Sequence, residues 1–289
     1  MMHKTISATE NARIGYRILK GVGMILLMIV VFMCLLPFAW MVLVSFKTET
    51  AMWEMPPSLE PSSFTLSNYA HIWTLNKPNV KIALLNSIFV SVTATGGSLI
   101  TAALAAYAFA KLEFKGKGKL FAIILSTMMV PGQITLIPMY VLIKKMGWIN
   151  TFLPLIVPPV LTYSYGVFML RQYFMSIPDS ILESAKIDGA SQPLIFTRLV
   201  LPMSMPAVAS LLMMRFMGNW NSFLSPMLYI NDIEKITLPL YIRYFEGAYE
   251  TKWNYMMAAS CITVLPMILI YLFTQRFLTE GIMLGGVKG

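Results

Sequence analysis

Six stretches of about 18 residues or more, the length that crosses a bilayer core, run through this chain with almost no charge: 21–46, 82–110, 120–143, 151–170, 206–230 and 253–275. Arg215, in the fifth, is the one ionised side chain within them. With 57% of its 289 residues hydrophobic and only 12% charged, the chain holds more apolar surface than a soluble core of that size can bury. The expected fold is therefore an all-α membrane protein of six transmembrane helices. The first stretch follows Arg13, Arg17 and Lys20 like the basic region of a signal peptide, but it is too long and lacks a small-residue cleavage pattern, so it reads as a retained helix.

Orientation follows from the basic residues between the spans. An N-terminus on the inner side places thirteen Lys and Arg inside and eight outside, with the dense cluster Lys111, Lys115, Lys117 and Lys119 inside. Both termini are then cytoplasmic in a multi-pass protein of the cell membrane. The expected organisation is a cytoplasmic N-terminus (1–20), a first span (21–46), an outer loop (47–81), five further helices (82–276) and a cytoplasmic tail (277–289). The net charge of +9 is scattered between apolar runs, which fits membrane topology and not a nucleic-acid-binding stripe.

Prolines 37, 131, 138, 154, 158, 159, 226 and 266 and the pair Gly96, Gly97 interrupt the spans. In lipid such breaks persist only where neighbouring helices or an aqueous cavity satisfy the freed backbone groups, which favours a moving bundle over an anchor.

Between the fourth and fifth spans, residues 176–202 are too polar to cross a membrane. Pro178 suits a first helical turn, Asp179 complements the helix N-terminus, Asp188 and Gly189 end that helix near Ile187, and Ser191 can cap a second one through Phe196 and Leu199. The expected product is a rigid cytoplasmic helix-turn-helix. Its residues Glu183, Ser184, Ala185, Lys186, Ile187, Asp188, Gly189 and Ala190, followed by Phe196, Leu201 and Pro202, resemble the Glu-Ala-Ala docking loop of type I ABC-importer permeases. Ser184 departs from that pattern, where alanine is usual, but is small enough for the same packed face.

Six spans with this loop after the fourth resemble the carbohydrate branch of that family, in particular its maltose-type six-helix subunit. The resemblance implies a permease for a sugar or oligosaccharide. Its implied partners are a second permease subunit, two ATPase subunits that bind ATP and Mg, and an extracytoplasmic sugar-binding protein, with lipid around the bundle. Glu183, Ala185, Asp188 and Gly189 would contact the ATPase or shape the loop that does. Gly285, Gly286 and Lys288, in a tail similar to that of the maltose-type subunit, would lie between the ATPases. Tyr244, Phe245, Glu246 and Gly247, in the last outer loop, would reach the binding protein; the alternative for their aromatics is an interfacial belt.

No phosphate-cradling Gly-x-x-x-x-Gly-Lys-Ser/Thr segment occurs, so the chain is expected to be a transport subunit with no ATPase site or cofactor of its own. A non-sugar solute remains an alternative, as does ion-coupled secondary transport, although the latter usually places an Asp, Glu or His in a span and none lies there. Cys34 and Cys261 sit in separate apolar runs and the 24 methionines suit gap filling, so no metal site is expected. Arg215 either faces a cavity or partner or snorkels to the interface. Asn219, Trp220 and Asn221 combine amides with a flat ring, suited either to a sugar in the translocation path or to hydrogen bonds between helices.

Overall fold

The computed structural model describes residues 2–58, 60–247 and 251–285, with side chains described for 16–17, 19–58, 60–247 and 251–277. The chain is helical, and isolated bridges such as Lys47 with Phe64 are the only extended pairing among the described residues. Helix α1 (Met2–Ser45) is followed by α2 (Ser67–Thr74), α3 (Val80–Lys111), α4 (Lys117–Thr127), α5 (Gly132–Lys145), α6 (Leu153–Leu161) and α7 (Ser164–Met175). After these come α8 (Asp179–Ile187), α9 (Gln192–Ile195), α10 (Leu201–Met203), α11 (Met205–Trp220), α12 (Leu224–Tyr229), α13 (Leu238–Arg243) and α14 (Trp253–Gly285).

Among the described residues four units are long and apolar enough to cross a membrane, Leu19–Ser45, Val80–Lys111, Leu153–Met175 and Trp253–Phe277, and the number reaches six only if two bent pairs, Lys117–Thr127 with Gly132–Lys145 and Gln192–Met203 with Met205–Trp220, each count as one span. The third expected span, 120–143, is a bent pair, turning by 97° between α4 and α5. Pro131 cannot donate to the Thr127 carbonyl and disfavours helical backbone at Val130, so α4 ends and α5 starts afresh at Gly132. The fifth, expected over 206–230, stops at Trp220, and the chain restarts as α12 at Leu224. Polar Asn221 and Ser222 occupy the gap, and Pro226 follows one turn later. The sixth helix continues past residue 275 to Gly285, into the segment expected as a tail.

Helix α3 is the centre of the bundle, packed against α6, α7 and α11. Its inward positions are small, with Ala83, Ser87, Ser91, Ala94, Ser98, Ala102, Ala103 and Ala106 all buried. Without water to drive apolar association in lipid, close backbone approach supplies the packing energy, and small side chains permit it. Asn79 caps α3 by accepting from the N–H of Lys81 at 2.9 Å. Two apolar clusters result. One, around Ile72, Phe216, Trp220, Leu238 and Tyr241, lies toward the expected outer end. The other, around Ala106, Leu170, Phe174, Leu182 and Ile195, joins the C-terminal end of α3 to the 176–202 segment.

Candidate functional site

Segment 176–202 folds as a compact knob. Pro178 stands just before α8 as its N-cap, one residue earlier than expected, and Asp179 opens the helix. At the other end Gly189 has φ +83°, the Gly189 N–H donates to Lys186 O at 3.0 Å, and the Ala190 N–H donates to Ala185 O at 2.9 Å. This pair of bonds is the Schellman closure, which satisfies carbonyls that a helix end otherwise strands. Ser191 precedes α9 with extended backbone but makes no side-chain cap bond, unlike the expected capping role. From Phe196 to Val200 the turns widen to a π-helix ahead of Pro202, which removes the donor for Arg198 O.

Residues predicted to act together point in different directions. Glu183, Asp188 and Gly189 are exposed, whereas Ala185 is half-buried and packs with Ala190 on the apolar cluster at the C-terminal end of α3. Ala185 therefore helps seat the knob, a consequence of its place two positions from Glu183 on a helix of 3.6 residues per turn. The apolar Ile187 is 86% exposed at the knob's tip, a feature hidden in sequence because a lone isoleucine in a short helix looks like core.

The knob is tied to the end of α3. Lys111 Nζ donates to Asp179 Oδ1 and to Ile177 O, both at 2.7 Å, and Tyr107 Oη donates to Gln192 Oε1 at 2.6 Å. The Asp179 carboxyl is held below its usual range, first by the hydrogen bond from Lys111 and then by that ammonium's charge. Arg171 Nε donates to Phe109 O at 3.1 Å, with its guanidinium 4.2 Å from the Phe121 ring.

Inside the bundle, the fourth span breaks between α6 and α7 at Thr162 and Tyr163. Helices α3 and α11 supply the donors this break requires. Thr101 Oγ1 donates to Val160 O at 2.6 Å, Ser98 Oγ to Pro159 O at 2.8 Å, and Arg215 Nη2 to Pro159 O at 2.7 Å. Arg215 also bonds Ser98 Oγ through Nε at 3.2 Å and lies 4.4 Å from the Tyr163 ring centre. It points into the bundle instead of snorkelling, because the broken helix offers a carbonyl that lipid cannot satisfy.

The Asn-Trp-Asn patch divides. Asn219 Nδ2 donates to Thr95 Oγ1 at 3.0 Å, and Trp220, 1% exposed, donates through Nε1 to Thr263 O at 3.0 Å. Asn221 is exposed at the end of α11. Two of the three thus make bonds between helices, and the Trp220 ring is packed on Phe216 at 5.5 Å, so it is no exposed face for a passing sugar. Asn219, Ser87, Ser91, Ser222, Ser225 and Thr237 border a cavity of about 150 Å³ between α3, α6 and the α11–α12 break. That is below the roughly 300 Å³ at which small-molecule pockets begin, and its polar lining suits ordered water.

In the loop ahead of α14, Phe245 is 7% exposed and meets Tyr241 edge-on at 5.3 Å. The ring packs within the chain's own apolar cluster and presents little surface for the expected partner contact. Tyr244 is 55% exposed, Glu246 is exposed and 3.8 Å from Arg243, and Gly247 is exposed. Gly285 ends α14; Gly286 and Lys288 lie outside the described residues.

Residues 97–283 match the family model described as the binding-protein-dependent transport system inner membrane component. The chain belongs to that family. It is a multi-pass membrane component of an ABC importer, a permease subunit by family. This permease is 34% identical to the trehalose/maltose transport system permease protein MalG of Thermococcus litoralis, over 94% of its own length and 97% of the relative's. It is 28% identical to the arabinooligosaccharides transport system permease protein AraQ of Halalkalibacterium halodurans, over 90% and 93% of the two chains. The permease also shares its fold with a chain of a bacterial ABC transporter involved in the import of the acidic polysaccharide alginate, with a TM-score of 0.77 at 23% identity, covering 90% of this chain and 96% of that one.

Proposed function

We propose that this permease imports a sugar or oligosaccharide and docks on a separate ATPase through the 176–202 knob. The observation that carries the docking role is the Schellman-closed α8, which holds Glu183, Ile187 and Asp188 outward on a support fixed to α3. An exposed isoleucine flanked by charged groups suits insertion into a cleft of a partner, with apolar contact at the centre and polar contact at the rim. The sugar class is supported by similarity to the trehalose/maltose permease MalG and the arabinooligosaccharide permease AraQ.

ATP and Mg are bound by two ATPase subunits, this chain having no hydrolytic site, and a second permease completes the membrane channel. Both termini are cytoplasmic, with the Lys111 to Lys119 cluster and the knob on that face. An extracytoplasmic binding protein delivers solute near Tyr244, Glu246 and Gly247. Closure of the ATPase pair moves the knobs and switches the bundle between inward-open and outward-open forms.

Reconstitution of the permease with its companion subunits in vesicles tests this. Uptake of maltooligosaccharide or arabinooligosaccharide should require ATP and binding protein together and persist when ion gradients are collapsed. Uptake that follows the gradient and ignores ATP would refute the coupling; ATP-driven uptake of a non-sugar solute only would refute the substrate class.

A further inference from the structure

Helix α3 is hydrogen-bonded at each end to a segment remote in sequence. At the inner end are the Tyr107 bond to Gln192 and the Lys111 bonds to Ile177 and Asp179. At the outer end Asn86 Nδ2 donates to Glu234 O at 2.9 Å and Ile236 O at 3.0 Å, and Ser87 Oγ accepts from the Leu238 N–H at 2.7 Å. Asn86 and Tyr107 are separated by roughly 32 Å of helix at about 1.5 Å per residue, close to the thickness of a bilayer core at about 30 Å. Over that length α3 is unbroken.

The covalent routes out of the knob are bent by comparison. Residues 176–178 are non-helical between α7 and α8, and the chain turns by 79° between Gln192–Met203 and Met205–Trp220. Displacement of the knob can be absorbed at these bends, whereas a continuous helix moves as one body.

We propose that α3 is the strut coupling the inner knob to the outer 231–247 segment, with Tyr107, Lys111, Asn86 and Ser87 as its positioning residues. The inference rests on the docking role given to the knob. Engagement of the outer segment biases knob geometry through α3, and by linkage ATPase engagement biases the outer segment equally.

The test uses the complete transporter in vesicles and reads ATP hydrolysis with and without binding protein. Tyr107→Phe removes one hydroxyl, and Asn86→Leu removes both outer donors. Each variant should keep its ATPase subunits on co-purification while stimulation by binding protein falls roughly three- to tenfold, the effect of a lost hydrogen bond. Because both act on one route, the double variant should lose much less than the product of the single losses, and Asn86→Gln should recover stimulation. Should Asn86→Leu not insert, Asn86→Asp tests the same donors. Unchanged stimulation in the single variants, or losses that multiply in the double variant, overturns the strut. Gly189→Val reports separately on docking: if it keeps the ATPase and full stimulation, the docking role fails, whereas its loss of ATPase beside unaltered Tyr107→Phe and Asn86→Leu variants overturns the strut alone.

Discussion

Lys111 Nζ lies 2.7 Å from Asp179 Oδ1, joining the C-terminus of α3 to the N-terminus of α8 across 68 residues of chain. Each charge also complements the helix end it occupies, a cation at a C-terminus and an anion at an N-terminus. The Asp179 carboxyl titrates below its ordinary value of 3.8, chiefly through the Lys111 hydrogen bond. Lowered in the folded state, it contributes stability that is present above the ordinary value and lost as pH falls through the lowered one. Hydrogen exchange at the start of α8 should therefore show stable protection from neutral pH down to about pH 5, with this contribution disappearing only below about pH 4. Lys111→Met should remove that acid-sensitive step; an identical profile in the variant would show that the ion pair does not hold α8.

At Gly189 the difficulty for any other residue is backbone conformation, since an added Cβ would meet no atom within 4 Å at φ +83°. A β-branched side chain in the left-handed region costs on the order of 1–2 kcal/mol or more, while asparagine tolerates it better. Gly189→Val should insert normally yet lose ATPase co-purification and uptake, with Gly189→Asn close to the parent. Equal behaviour of Val and Asn in both assays would contradict a left-handed requirement at the turn.

Four of the expected spans are legible as long helices because uncharged apolar length is the signal a bilayer demands, and the knob is legible because Pro, Asp and Gly occur at helix-end spacing. The bends are legible in kind but not in place. Proline marks where a donor is missing, yet Pro37 and Pro266 stay within continuous helices while Pro131 ends one. The Lys111–Asp179 and Arg215–Pro159 contacts are hidden because a single sequence records neither which helices are neighbours nor which carbonyls they leave free. Likewise Phe245 and Tyr244 are adjacent aromatics of one loop, and only packing against Tyr241 tells the buried one from the exposed one.

Gly97 lets α3 approach the end of α6. A Cβ built there would lie 2.5 Å from Val160 Cγ2, too close without movement of a branched side chain that sits at the helix break. Gly97→Ala should lower stability by roughly 1–3 kcal/mol, the usual range for overpacking, read as a lower apparent melting temperature in detergent. Val160→Ala should recover much of the loss when combined with it. Gly96→Ala, whose Cβ would meet nothing within 4 Å, serves as the control, and equal effects at 96 and 97 would contradict the close approach.

Arg215 and Ser98 donate to the same Pro159 carbonyl, and Arg215 Nε also donates to Ser98 Oγ, so their contributions cannot be independent. The planar guanidinium reaches two oxygens while lying against Tyr163, a geometry a lysine ammonium cannot reproduce. Arg215→Lys should therefore behave more like Arg215→Gln than like the parent, with a loss of about 1–2 kcal/mol. Ser98→Ala alone should cost less, because Arg215 still serves the carbonyl. In Ser98→Ala with Arg215→Gln, Pro159 O loses both side-chain donors within the membrane, and the combined loss should exceed the sum of the single losses. The measurement is a double-mutant cycle on apparent melting temperature, with cysteine accessibility at Leu161 as a probe of the α6–α7 break. Additive losses together with unchanged accessibility at Leu161 would show that the carbonyl does not depend on these two donors, and that the break is held by Thr101 and packing instead.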